Sequence, residues 1–136
     1  MADGLASGLT LVGSFTPIQL WAGEPNGQTT QGVAAAGFQF GSKNTRGETN
    51  KFPVVALVDE KLVPWDPAAA TGAEVPYGIL PHALDTTAAG YNADVDTPVF
   101  ISGHPSFDAL SLPVGITYAE VKAAFAGTMI NVQKLL

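Results

Sequence analysis

The stretch FPVVALVDEKLVPWDPAA, residues 52–69, decides how the rest of the chain is read. A β-branched apolar run, PVVALV, meets the charged turn DEK and returns as KLVPW before an acid opens a loop. Two such runs around a short polar turn spell a β-hairpin. Pro64 has no N–H to give to a ladder, so its strand is expected to lie at an edge or to carry a bulge there. Trp65 follows at the point where the hairpin ends.

Outward from the hairpin the pattern stays extended. YGILPHAL (77–84) is a short strand interrupted by Pro81, and TPVFISG (97–103) is a strand through Val99, Phe100 and Ile101. DTTAAGYNADVD (85–96) reads as a polar turn region, and HPSFDALSLPVG (104–115) as irregular chain. One helix is expected, in ITYAEVKAAFAG (116–127). Thr117 and Glu120 have the capping-box spacing, and Gly127 stands where a glycine ends a helix. TMINVQKLL then gives a last strand, with Ile130 and Val132 on one side and Met129, Asn131 and Gln133 on the other.

Residues 1–50 differ in character from the remainder of the chain. Short extended pieces break at Gly13 and Pro17, and PNGQTTQG (25–32) has the chemistry of a turn. Phe38 and Phe40 alternate around Gln39. The expected organisation is therefore an N-terminal arm with peripheral strands over 1–50 and a β domain over 51–136. Thirty extended residues reach up to about 100 Å, whereas a folded chain of this length has a radius of gyration of roughly 14 Å. Such an arm can cross a neighbouring subunit and add strands to it.

Composition narrows the function. The 136 residues are 46% hydrophobic and only 13% charged, with 15 Gly and 10 Pro. That is enough apolar side chain for a core, too much Gly and Pro for long helices, and a surface suited to lying against other protein. The net charge is −6, and the 6 Lys and Arg form no cluster, which argues against nucleic acid as a partner. There is no cysteine, so disulfides and thiolate metal sites are excluded and folding in a reducing cytoplasm is expected. The start of the chain lacks the pattern of a signal peptide, and no apolar run approaches the length of a membrane span.

The residues offer little chemistry. His82 and His104 each adjoin a proline, and Ser102, Ser106 and Asp108 near His104 supply the inventory of a triad without its convergent arrangement. NADVD (92–96) places oxygens at alternate positions but lacks the glycine and terminal glutamate of a calcium loop. No phosphate loop or dinucleotide fingerprint is present. No catalytic residue, metal or cofactor is expected.

The order of the motifs carries a resemblance. Lys61-Leu62-Val63-Pro64-Trp65-Asp66, then Gly78-Ile79-Leu80, then Ala124-Phe125-Ala126-Gly127-Thr128 resemble the lambda-type head decoration proteins of tailed bacteriophages. The likeness runs over about residues 53–132 and is loose across 91–112. The long segment before Pro53 departs from the short arm of the best-known member.

The resemblance implies a mainly β fold, a small bent-ribbon (β-clip-like) domain with one short C-terminal helix and an extended N-terminal arm. It implies a structural protein and no enzyme: a homotrimer on the outer surface of an expanded head, at three-fold positions. There it would bind the major capsid protein and stabilise the shell against internal DNA pressure. On this reading Leu9, Leu11, Val12, Phe15, Ile18, Leu20 and Trp21 form the capsid-binding arm, with Phe15 and Trp21 as anchors. Trp21 has the alternative of closing the trimer's own core. Pro64, Trp65, Phe107, Leu110 and Leu112 are expected in the core or the trimer seam. The competing reading is a β-rich receptor- or carbohydrate-binding domain of a virion surface protein, which would display an aromatic platform.

Overall fold

The computed structural model describes residues 20–22, 27–43, 49–90 and 92–134. In chain order the elements are β1 (Gln28–Ala34), β2 (Gln39–Phe40), β3 (Ser42–Lys43), β4 (Thr49–Val58), β5 (Lys61–Pro64), β6 (Pro76–Ile79), β7 (Leu84–Asp85), β8 (Val95–Gly103), β9 (Leu110–Ser111), α1 (Tyr118–Ala124) and β10 (Met129–Ile130). The mainly β expectation holds, and the single α-helix among the described residues is the short C-terminal one.

The expected hairpin forms. β4 and β5 pair antiparallel with Val58 opposite Lys61, leaving a two-residue turn at Asp59 and Glu60. Both turn residues have positive φ, 51° and 66°, as a type I′ turn demands. Neither is glycine, so the tight connection carries backbone strain. Glu60→Gly is expected to raise stability by about 0.5–1 kcal/mol, because glycine takes this conformation without the Cβ penalty. Chemical denaturation checks it, and an unchanged or lower midpoint contradicts it. Pro64 is the last residue of β5 and stands opposite Val55 without ending the pairing, since the Trp65 N–H beyond it still donates to the Val54 carbonyl at 3.0 Å.

From this hairpin the sheet closes on itself. β4 pairs with β5 on one side and β6 on the other, β5 meets β1, β1 pairs with β8, and β8 returns to β6. The result is a small five-stranded barrel, with β3, β9 and β10 added at its margins. Val55, Leu62 and Val99 fill the interior together with Ala34, Phe40, Leu80 and Leu84. On the outer side Val54 and Ile79 pack beneath α1 with Trp65, Val121, Phe125 and Val132. Successive residues Val54 and Val55 thus serve two different cores. This explains the unbroken apolar run: a strand covered on both faces has no polar side to alternate with.

β1 differs from the expectation. QTTQG has the composition of a turn, yet Gln28–Ala34 is a seven-residue strand that runs antiparallel to β8 from Gln28 opposite Ser102 to Ala34 opposite Val95. It is an integral wall of the barrel, not a peripheral strand. The physical reason is side-chain size. A Cβ added at Gly32 would stand 2.9 Å from Leu62 Cδ1, so the small inward residues of this strand make room for large ones opposite. Its outward residues Gln28, Thr29 and Gln31 face solvent.

The helix begins at its expected cap. The Thr117 hydroxyl accepts from the Glu120 N–H at 3.2 Å, and the Thr117 N–H donates to Glu120 Oε1 at 2.9 Å. One more polar tie is fully buried. The Thr86 hydroxyl donates to the Ala35 carbonyl at 2.7 Å and accepts from the Phe38 N–H at 3.0 Å. It fixes the bend that leads from β1 into β2.

Candidate functional site

The structure enters the expected arm at Leu20. Residues 20–22 run antiparallel beside residues 104–106: the Ala22 N–H donates to the His104 carbonyl at 2.9 Å, and the Ser106 N–H donates to the Leu20 carbonyl at 2.6 Å. The C-terminal segment lies on the other side of the same stretch. The Asn131 N–H donates to the Gly103 carbonyl at 2.9 Å, and the Gln133 N–H to the Pro105 carbonyl at 2.8 Å. The Phe107 N–H closes the register on the Gln133 carbonyl at 2.7 Å. The loop expected to be irregular is therefore a strand-like spine held between the two ends of the described chain.

Of the seven expected arm residues, Leu9, Leu11, Val12, Phe15 and Ile18 lie outside the described residues. Leu20 is 5% exposed and belongs to the core beneath α1, so its side chain is used in folding the domain. Trp21 is half-buried, with its ring edge-on to Phe100 at a centroid distance of 4.8 Å and an interplanar angle of 87°. Both residues are therefore parts of the domain to which the preceding chain is joined.

The residues expected in a core or seam divide. Trp65 is 5% exposed, donates its Nε1–H to the Glu74 carbonyl at 2.8 Å and lies 6.5 Å from the Phe125 ring. Trp65 and Leu110 are core residues. Phe107 and Leu112 are half-buried at its margin, and Phe107 meets Tyr118 edge-on at 5.5 Å. Two grooves flank Pro113 and Ile116. One, of about 480 Å³, runs between Trp65, Val114 and Glu120; the other, of about 270 Å³, has Phe107, Leu112 and Lys51 on its walls. Pro64 lines a third, of about 390 Å³, with Phe38, Val58 and Val63.

Two of the acids weighed for chemistry, Asp94 and Asp85, have structural partners. Asp94 Oδ2 lies 2.7 Å from Lys61 Nζ, and its Oδ1 accepts from the Ala36 N–H at 2.8 Å. Lys61 first, and the Ala36 N–H second, hold the Asp94 carboxyl below the usual carboxylate range. Asp85 is also held low, chiefly by the Thr87 hydroxyl and then by the Thr87 N–H. Asp96 faces outward from β8. No group of three or more His, Asp or Glu is arranged to hold a metal among the described residues, and none of their helices is long and apolar enough to cross a membrane.

A pH dependence arises from the two carboxylates. Their folded pKa values lie below the unfolded ones, so their stabilisation is complete above about pH 4 and is lost as the pH falls through the folded values. Asp94→Asn is expected to flatten the fall of the urea midpoint below about pH 4. An acid limb as steep as that of the wild type contradicts this assignment.

The described residues thus form a small closed β barrel, roofed by one helix and bordered by grooves beside Pro113 and Pro64. The family model for the bacteriophage lambda head decoration protein D matches residues 11–130, and the chain belongs to that family. It is thus a phage head decoration protein and a component of the virion capsid. No curated protein sequence matches it.

Proposed function

We propose that the protein is a clamp on the expanded phage head. It assembles as a homotrimer at three-fold positions on the outer surface, binds the major capsid protein and resists the pressure of packaged DNA. The observation that carries this reading is the family match, which begins at residue 11 and so includes chain ahead of the barrel. Leu11, Val12, Phe15 and Ile18, with Leu9 just before them, are the shell contacts of the arm. Leu20 and Trp21 are its root.

The chemistry supports the reading. Charge is sparse and on balance negative, which suits a surface destined for protein and kept off DNA. The grooves beside Pro113, with Val114 fully exposed at the edge of the one next to Trp65, are the candidate seam, where the margin of one copy meets the next around the axis. Three arms on one trimer act together, so individually weak contacts give lasting attachment. Neither tryptophan offers the aromatic platform of a carbohydrate-binding domain. Trp65 is interior, and Trp21 lies against Phe100.

The test is sedimentation of the purified chain, alone and with expanded heads stripped of decoration. A trimer that co-sediments with the heads and delays their rupture under osmotic shock is expected. A monomer that stays in the supernatant refutes the clamp.

A further inference from the structure

We propose that residues 20–22, pinned by Trp21, are a load-carrying joint that transmits tension from the preceding chain into the domain. The inference rests on the clamp reading, because it needs an arm that is held by the shell. Leu20 and Trp21 are successive residues of a segment that bridges Pro105 through Trp21. Leu20 enters the core under α1, and Trp21 lies on the outer barrel wall at Phe100. Trp21 and Phe100 pack against that same core, so two neighbouring side chains hold the segment together with its backbone bonds.

The backbone around it forms a continuous path. Residues 20–22 are bonded to residues 104–106, and these to residues 131–133. That last segment is bound to α1, where Lys122 Nζ and the Tyr118 hydroxyl each donate to the Val132 carbonyl at 3.2 Å. Tension arriving at Leu20 therefore spreads across the spine, the C-terminal segment and the helix. Two backbone bonds alone would give way one after the other. With Leu20 in the core beneath α1 and Trp21 packed against it, they have to fail together.

Gly27 supplies independent support. A Cβ placed there would stand 2.1 Å from each of two Trp21 ring carbons. The residue does not have a positive φ, so glycine is required for closeness and not for conformation. The returning chain is seated against the indole, with Phe100 on the barrel wall behind it. Trp21 is thus a positioning residue: it holds the arm's root without itself reaching the shell.

The experiment compares the full chain with Trp21→Ala, Trp21→Phe and Gly27→Ala. Leu84→Ala, cut from the barrel-interior core that does not contain Leu20, is the control for loss of stability. Amide exchange is read at Ala22 and Ser106, and release from expanded heads is followed after dilution. Trp21→Ala is expected to speed both by about tenfold, the scale set by losing one aromatic pair and its burial. Trp21→Phe recovers most of the loss. Gly27→Ala shifts both readouts in the same direction as Trp21→Ala, and reports on the joint if that variant does not fold. Leu84→Ala speeds release far less than Trp21→Ala does. Release unchanged in Trp21→Ala and Gly27→Ala, or equally fast in Leu84→Ala, overturns the joint while leaving the clamp intact. Wild-type protein that never binds the heads overturns the clamp, and the joint with it.

Discussion

Trp65→Ala is expected to lower the thermal midpoint by roughly 10–20 °C, in line with a loss of about 3–5 kcal/mol for a large buried aromatic. Trp65 is placed where the end of the hairpin meets the helix. Its ring adjoins Phe125 and shares a core with Val54, Ile79 and Val121. A seven-residue helix has no stability of its own in water, so α1 exists because this layer holds it. Removing the indole opens a cavity and leaves the Glu74 carbonyl without its donor. Measured against a total of about 5–15 kcal/mol for a small domain, the loss is severe. Thermal melts followed by circular dichroism decide it. A shift under about 5 °C would mean that barrel and helix layer do not melt as one unit.

The hairpin and the helix are legible in the sequence because their signals are local. Thr117 and Glu120 cap α1 through neighbours in sequence, and the turn at residues 59–60 is bounded by apolar runs on both sides. β1 is hidden because its reason for being a strand lies elsewhere in the chain. Thr30, Gly32 and Ala34 are small at inward positions since Leu62 and Val99 supply the volume, and those partners are distant in sequence. The placement of Leu20 is hidden for the same reason. In FTPIQLWAGE nothing local distinguishes a leucine that touches a partner from one that completes its own core. The spine at 103–107 shows no period because it is paired by residues 20–22 and 131–133, which no window contains. The place of Trp65 at the hairpin's end narrows it to core or seam, and the burial of its ring makes it core.

These placements bear on how the domain and its arm divide the work. The barrel's interior and the layer under α1 are separate cores that share the wall formed by β4, so damage to either reaches the other through Val54 and Val55. The arm's root is attached to the second of these. The part of the chain proposed to bind the shell is therefore the part that precedes Leu20.

Deleting residues 1–18 is accordingly expected to leave the domain folded and to abolish its retention on heads. The deletion keeps Leu20 in its core, Trp21 on Phe100 and both backbone bonds to the spine, so the midpoint should move by no more than about 5 °C. On the proposed trimer reading, binding should fall by at least about 100-fold, because removing the arms removes every tethered contact at once and with it the gain from multivalency. A mixed trimer with one full-length arm should bind with intermediate strength, since avidity grows with the number of arms that engage together. The comparison is made by co-sedimentation with expanded heads over a range of protein concentration. If the deletion variant binds like the full chain, the shell contacts lie on the domain, and the grooves beside Pro113 become the place to look for them. If it fails to fold, residues ahead of Leu20 belong to the domain's own core and the arm begins further upstream.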